Sequence, residues 1–417
     1  MIKRHILETI KESLKFFPVV LIVGARQVGK STLAKELCKE GIFDEYITLD
    51  DLSVLDSAKS APESFIKQFK GSIVIDEIQR VPDLLIAIKK VVDENKIPGK
   101  FLLTGSANLL SSSEVKESLA GRMDIINVFG LSCIEMTQEL QTFNIINEII
   151  DDDNQTILTK FNSYLKEKSP LSKEKLNEAI FYGGYPDVAL KKNANFKNRW
   201  FSAYQAAYIE RDARDIKRSL DVLAFSKVYK LAGLNTGNLL NIKNLSVDIG
   251  LDQRTVARYL EILEYTFQIN LLQPWYSNIK KRMVKTPKLY ANDSGLACFL
   301  AGIKNPNELN NHPYYGALLE TWFLSEINKL LATTTNIDKF FYRTHQGKEI
   351  DLILTQGDKL IGIECKASDR VSHSDLSALN ELSLTLGNKF KGTVFYSGEK
   401  AIALQNNLIA LPFNILF

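Results

Sequence analysis

One octapeptide, Gly24-Ala25-Arg26-Gln27-Val28-Gly29-Lys30-Ser31, has the residue types that a polyphosphate requires. Its glycines let backbone N–H groups curl around phosphate oxygens. It stands between the apolar run Val19-Val20-Leu21-Ile22-Val23 and the helical stretch Thr32-Leu33-Ala34-Lys35-Glu36-Leu37. A strand therefore leads in, and a helix N-terminus with its positive partial charge leads out. On this reading Gly24, Ala25, Arg26, Gln27, Val28 and Gly29 form the wrap. Lys30 neutralises the β and γ phosphates, Ser31 ligates Mg²⁺, and Thr32 lies in the first helical turn. Arg26 sits near the phosphates without an assigned task. A chance match in a glycine turn is the plain alternative.

A partner for this loop is Ile73-Val74-Ile75-Asp76-Glu77, a buried strand ending in two acids. Asp76 suits contact with Mg²⁺, usually through water, and Glu77 suits polarisation of an attacking water. Two acids at a strand end mean little alone; beside a phosphate loop they specify ATP and Mg²⁺ as cofactors.

A second chemical group lies near the C-terminus. Asp351 falls in the strand Ile350–Leu354, and a turn at Gln356-Gly357-Asp358 leads into Leu360-Ile361-Gly362-Ile363-Glu364-Cys365-Lys366. The two-residue period of a strand puts Glu364 and Lys366 on one face, and a hairpin brings Asp351 beside them. Upstream, Glu320 borders the apolar face of an amphipathic helix. Glu320, Asp351 and Glu364 are candidate Mg²⁺ ligands, with Lys366 orienting or activating water. A stabilising charge network involving Lys366 and Lys348 is the competing reading.

The elements that position these residues follow from length and pattern. With 417 residues the chain exceeds one ordinary core, and two to four domains are expected. Apolar residues at 45% and charged residues at 24% exclude a disordered, collagen-like or membrane-embedded chain. No apolar run approaches the roughly 18–20 residues of a membrane span, and the N-terminus lacks an apolar signal core. Cys38, Cys133, Cys298 and Cys365 are scattered, so neither a disulfide framework nor a zinc cluster is indicated and a cytoplasmic location is expected. Lys plus Arg (52) barely exceeds Asp plus Glu (49), so only local clustering of positive charge bears on nucleic acid. The pattern predicts an α/β chain: a parallel-sheet domain over 1–135, a helical linker or lid over 136–215, a compact helical module over 216–300, and a second α/β unit over 301–417.

Within the first domain, Leu103-Thr104-Gly105-Ser106-Ala107-Asn108 follows a strand, which makes Ser106 or Asn108 a candidate γ-phosphate sensor. Leu119-Ala120-Gly121-Arg122 places an arginine between a helix and the next strand. Phosphate loop, acidic strand, polar sensor and arginine, in that order, resemble the AAA+ superfamily. The resemblance implies a catalytic finger role for Arg122, in cis or across subunits of a homo-oligomer; a structural ion pair is the equal alternative.

In the middle module, Leu245–Leu260 looks like a helix-turn-helix: Gly250 permits the turn, Asp252 caps the second helix, and Arg254 and Arg258 share its outward face. Lys280, Lys281, Arg282, Lys285 and Lys288 then crowd a hairpin that resembles the wing of a winged helix. DNA is the expected partner; a winged helix that binds protein is the alternative. The Asp…Glu-x-Lys order of Asp351, Glu364 and Lys366 resembles the PD-(D/E)XK nuclease fold, a restriction-endonuclease-like architecture, and archaeal Holliday-junction resolvases in particular. Ile350 stands where the larger family often has proline.

Tyr182-Gly183-Gly184-Tyr185-Pro186, Tyr208–Asp212, Val284–Tyr290 and Asn292-Asp293-Ser294-Gly295-Leu296 extend the likeness to a broad prokaryotic family of AAA-type ATPases with an uncharacterised C-terminal domain. The glycines of the first stretch are read as a helix–turn element rather than a site. Two functions are thereby expected: an ATPase that binds DNA and cleaves it with Mg²⁺, or an ATP-dependent regulatory switch acting through protein partners with a non-cleaving nuclease-like domain.

Overall fold

The computed structural model describes residues 2–105, 121–137, 144–209, 221–276, 286–405 and 407–417. They form two compact units. One is Met1–Leu131 with Tyr265–Gln268, the other Ser132–Glu264 with Ile269–Phe417. The regions expected over 136–215, 216–300 and 301–417 thus share one unit.

The first unit is built on five parallel strands, β1 (Val19–Val23), β2 (Glu45–Thr48), β3 (Ile73–Asp76), β4 (Phe101–Gly105) and β5 (Met123–Asn127). Their order is β2-β3-β4-β1-β5. Strands β1, β3 and β4 are buried along their whole length. Helices cover both faces of such a sheet, so the central strands read as unbroken apolar runs rather than alternating ones. Val19, Leu21, Val23, Phe101 and Leu103 pack with Leu84 and Ile88 of the helix Asp83–Glu94. Because all strands run one way, the turn after β1, the acids ending β3 and the end of β4 meet along one edge. That carboxyl edge is where open α/β sheets place their ligands.

In the second unit the helices Val222–Leu234, Ile242–Ile249 and Gln253–Tyr265 accompany a small antiparallel sheet. Its strands are β6 (Asn238–Leu239), β7 (Ile269–Leu272) and β8 (Lys288–Ala291), in the order β6-β8-β7. Gly250 closes the helix Ile242–Ile249 at φ 77°. Asp252 caps the next helix by accepting from Thr255 N–H at 2.9 Å. Val256, Leu260 and Leu263 face inward, whereas Arg254 and Arg258 are exposed, as the periodicity requires.

A six-stranded mixed sheet completes this unit: β9 (Asp338–Arg343), β10 (Glu349–Gln356), β11 (Lys359–Lys366), β12 (Phe390–Tyr396), β13 (Ile402–Ala403) and β14 (Leu408–Pro412). The order is β13-β14-β12-β11-β10-β9. Strands β9, β10 and β11 pair antiparallel. The helix Ser377–Leu386 then carries the chain from β11 to a parallel β12, and β14 adds parallel to β12. Along its other edge β9 meets the stretch after β7. Phe341 N–H donates to Gln273 at 3.0 Å, and Phe341 accepts from Trp275 N–H at 2.6 Å. The middle sheet and the C-terminal sheet are therefore tied by backbone bonds.

The motifs around Gly183 and Asp293 prove to be one structural lock. Asp293, 7% exposed, accepts from Gly184 N–H at 2.7 Å and from Leu296 N–H at 2.9 Å, which caps the helix Ser294–Leu300. Burial nevertheless raises its carboxyl above the usual range. Gly183 has φ 67°, and a Cβ there would lie 2.3 Å from the Asp293 carboxylate and 2.6 Å from Gly295 N. With ψ −155° Gly183 lies in a region essentially reserved for glycine, so Gly183→Ala should combine a backbone cost of about 1–3 kcal/mol with an overpacking cost of about 1–3 kcal/mol. Gly250, at φ 77° and ψ 34° with nothing within 4 Å of a new Cβ, should on change to alanine show only the left-handed penalty of about 1–2 kcal/mol. Chemical denaturation of the two variants checks the difference; equal losses would mean that Asp293 does not enforce the glycine.

Candidate functional site

The phosphate loop leaves β1 and ends where the helix Lys30–Lys39 begins, so Gly29 N-caps that helix at φ 103°. Gln27 adopts φ 62°, which turns the loop without glycine. At Gly24 a Cβ would meet Val128 O at 2.1 Å, so only glycine fits between the loop and the chain leaving β5. Ala25 and Val28 are buried, Arg26 is half-buried, and Thr32 is exposed. Lys30, 6% exposed, donates from Nζ to the carbonyls of Gly24 (2.9 Å) and Ala25 (2.8 Å), holding the ammonium within the curve of the loop.

Asp76 ends β3 with three donors around its carboxylate. Ser31 Oγ lies 3.1 Å from Oδ1, Thr104 Oγ1 donates to the same oxygen, and Tyr46 OH donates to Oδ2 at 2.7 Å. The Ser31 hydroxyl and the Asp76 carboxylate are thus adjacent, the donor set that an octahedral Mg²⁺ takes beside phosphates. The fit is good.

Glu77 follows in the left-handed region, φ 60° and ψ 42°. Its N–H donates to Thr104 Oγ1 at 3.1 Å, and its side chain accepts from Gln79 Nε2. Thr104 therefore holds both acids from the neighbouring strand. Burial, followed by the bond to Asp76, pushes the Tyr46 phenol well above its usual range, so it stays a donor. Ser106, expected as sensor, lies outside the described residues; β4 delivers Thr104 instead.

Arg122 lies elsewhere. Strands β1 and β5 are parallel and in register from Val19 opposite Met123, and Arg122 O accepts from Val19 N–H. Arg122 is therefore at the entry of β1, one strand length, roughly 15 Å at about 3.3 Å per residue, from the loop at its exit. Its Nε pairs with Asp93 at 2.5 Å. In its own chain Arg122 is part of an ion pair at the opposite end of the strands from the loop, the structural alternative to a finger.

Sequence reasoning gave no role to Arg4. Buried, it donates to Val28 O at 3.1 Å, Phe129 O at 2.8 Å and Gly130 O at 3.2 Å. The guanidinium thus clamps the phosphate loop to the chain after β5. Its only sequence signal is a basic residue just ahead of the helix Ile6–Ser13, which does not distinguish it from Lys3.

The second candidate site is assembled in the other unit. Asp351 occupies a bulge in β10: between Ile350 opposite Tyr342 and Ile353 opposite Phe340, two residues of β10 face one of β9. Bulges of this kind re-aim side chains beside sites. Asp351 Oδ2 accepts from Cys365 N–H at 2.9 Å, and Lys366 pairs with Glu364 at 3.0 Å. The hairpin has brought the Asp…Glu-x-Lys residues together. Burial, then the charge of Asp351, pushes the Glu364 carboxyl up to about 9 against the pull of Lys366.

Glu320 is turned to other partners. Lys288 Nζ lies 2.9 Å from Glu320 and also pairs with Glu349, while Tyr290 OH donates to Glu320. Burial and the charge of Asp351 bring the Glu320 carboxyl up to about 7. Among the described residues no three acidic, histidine or cysteine side chains are grouped to hold a metal ion, so Glu320 does not complete a three-carboxylate shell with Asp351 and Glu364. Two further expectations change. Lys288 is 3% exposed and cannot serve as a wing cation, and Lys348 pairs with Glu381 rather than with the cluster. Lys280, Lys281 and Arg282 lie outside the described residues.

Phosphate loop, adjacent acidic strand and five-stranded parallel sheet define an AAA-type P-loop domain, a class built to bind and hydrolyse ATP. Residues 17–137 match the AAA domain family, residues 173–307 a domain of unknown function (DUF8612), and residues 315–416 another (DUF4143). The chain is similar to the uncharacterized protein Rv2008c of Mycobacterium tuberculosis, 27% identical over 413 residues that cover 98% of this chain and 83% of that one. It is 22% identical to the uncharacterized protein MJ1544 of Methanocaldococcus jannaschii over 352 residues, 81% of this chain and 75% of that one. A solved structure, the Walker-type ATPase PABY2304 of Pyrococcus abyssi, aligns over 72% of this chain and 96% of its own at 14% identity and a TM-score of 0.43. All four cysteines are free, and no helix among the described residues is long and apolar enough to cross a membrane.

Arg4→Ala should destabilise the first unit by about 3 kcal/mol, the upper range for hydrogen bonds made by a charged donor. Arg4→Lys should recover little, because a single ammonium cannot reach carbonyls on both segments. Urea denaturation followed from the first unit checks this; full rescue by lysine would reduce Arg4 to a simple charge.

Proposed function

We propose that the chain is an ATP-hydrolysing protein that engages DNA through its middle module and cleaves it with Mg²⁺ at Asp351, Glu364 and Lys366. The observation that carries the ATPase part is the meeting of Ser31 and Asp76 at 3.1 Å beside a helix N-terminus. Mg²⁺, when bound, would neutralise phosphate charge there. Backbone N–H groups from Gly24 to Gly29 would hold the phosphates, Lys30 would leave its two carbonyls for them, and Glu77 would orient the attacking water once Gln79 releases it. A finger contribution from Arg122 requires a second copy of the chain.

Lys30→Ala should lower ATP affinity by several kcal/mol, since only backbone dipoles would then face the phosphates. Glu77→Gln should keep affinity while hydrolysis falls about a hundredfold or more. Fluorescent-nucleotide titration and phosphate release check both, and hydrolysis that survives in Glu77→Gln removes that residue from its role.

For the DNA-directed part, support comes from the order helix, β6, helix, helix, β7, β8, which follows the winged-helix plan, and from the exposure of Arg254 and Arg258 on its third helix. With Lys280, Lys281 and Arg282 these form the proposed contact surface. The order helix, β9, β10, β11, helix, β12, with Asp351 and Glu364 on paired strands, follows the nuclease-like plan. A divalent ion held by those two carboxylates would supply Lewis acidity at the scissile phosphate. Lys366, raised above its usual range as Glu364 and Asp351 outweigh the effect of burial, would remain a cation facing the same phosphate.

A second reading is favoured by the pairing of Glu364 with Lys366 and of Glu320 with Lys288: the cluster is a charge network, and the chain is an ATP-dependent switch acting on protein partners. The experiment that separates them is cleavage of branched and linear DNA with Mg²⁺, with and without ATP. The nuclease reading expects cutting by the native chain and loss of at least a hundredfold in Asp351→Ala with unchanged circular dichroism. No cutting under any nucleotide condition leaves the switch.

A further inference from the structure

The stretch Val284–Tyr290 is the motif that neither site has absorbed, and the structure shows where its end points. Lys288 leaves β8 of the small sheet and is buried at 3% exposure among acids of the C-terminal sheet and its helix. It pairs with Glu320 at 2.9 Å and with Glu349, and Arg343 holds the other oxygen of Glu349 at 3.1 Å. Two places further along the same strand, so on the same face, Tyr290 OH donates to Glu320. Glu320, Glu349 and Asp351 all act on the Lys288 ammonium and outweigh its burial, which holds its affinity for the proton above the ordinary range.

We propose that Lys288 is the resident cation of the acidic site: together with Tyr290 it keeps Glu320 as its own counter-ion, so that Asp351 and Glu364 alone are left to take a divalent ion. The inference deepens the nuclease reading and rests on it for the identity of the ion-binding pair. The charges support it. Glu320, Glu349, Asp351 and Glu364 are offset by Lys288, Arg343 and Lys366, so the ionised cluster carries one negative charge in excess. Without Lys288 the excess doubles, and Glu320 and Glu349 both lose their buried partner. A divalent ion competes directly with a buried ammonium for such oxygens, since either one satisfies the same lone pairs. Lys288 is therefore a positioning residue, acting through Glu320 rather than on substrate.

The test is Mn²⁺ binding, read by the electron paramagnetic resonance of free Mn²⁺, to the full-length chain without nucleotide. Asp76→Asn in every sample keeps the phosphate-loop site out of the measurement. Lys288→Met should bind Mn²⁺ at least about tenfold more tightly, or take one more ion per chain, while Lys288→Arg should behave as the parent. Glu320→Gln, nearly isosteric, removes one negative charge and should weaken Mn²⁺ binding by less than about tenfold, whereas a third ligand lost from the shell would weaken it about tenfold or more. Identical titrations of Lys288→Met and the parent, or binding weakened about tenfold or more in Glu320→Gln, overturn the proposal. The glutamine arm decides the matter if the methionine variant does not fold. Asp351→Ala tests the underlying reading separately: Mn²⁺ binding that persists there removes Asp351 from the ion site, while the Lys288 comparison still stands. Should the parent bind no Mn²⁺ while Lys288→Met does, the resident-cation role holds and the nuclease reading fails.

Discussion

A carboxylate removed from water costs several kcal/mol unless donors replace its hydration, and both units are organised around meeting that cost. Asp76 is surrounded by a serine, a threonine and a tyrosine from three different elements. Asp293 is served by backbone N–H groups of two motifs far apart in the chain, which is why glycine is needed at position 183. Glu320 receives a lysine and a tyrosine from one strand. In each case the donor set fixes which segments must meet, so solvation of a single acid dictates a tertiary contact.

The three solutions also differ in what they leave open. Neutral hydroxyls around Asp76 keep its charge available to a cation. The N–H groups on Asp293 are covalently part of the backbone and cannot be exchanged, so that acid is purely architectural. Around Glu320 the ammonium of Lys288 already provides the positive charge, and Glu364 is paired with Lys366. Electrostatic chemistry at the two candidate sites is therefore set up in different ways, one acid held by neutral hydroxyls, the other cluster largely offset by its own cations.

Much of this was legible in the sequence where local pattern and chemistry coincide. The phosphate loop, the acids after β3, the helical turn at Gly250 with its cap at Asp252, and the hairpin joining Asp351 to Glu364 all depend on neighbours a few residues away. What escaped depends on distance. The strand β2 is four residues long, with Glu45 exposed and Tyr46, Ile47 and Thr48 half-buried, so it offers no apolar run although it supplies Tyr46. Thr104 reads as an ordinary strand residue until β3 is placed beside it. Lys288 looked like the last of a series of surface cations because nothing local shows that its strand turns into the acidic cluster. For Arg122 the local pattern gave its position before a strand, and only the parallel register shows that this strand's entry lies at the opposite end of the sheet from its own loop.

The clamp made by Arg4 bears on how the protein is born. Synthesis runs from the N-terminus, so Arg4 emerges well before its partners: two of its acceptors lie 125 and 126 residues later. At about 5–20 residues per second that separation is a wait of several seconds or more. During it a guanidinium destined for burial must remain hydrated, and the loop that depends on it has only Val28 from the early chain. Completion of the nucleotide-binding fold is consequently tied to the arrival of Phe129 and Gly130, and a ribosome stalled before that point would carry a phosphate loop without its brace.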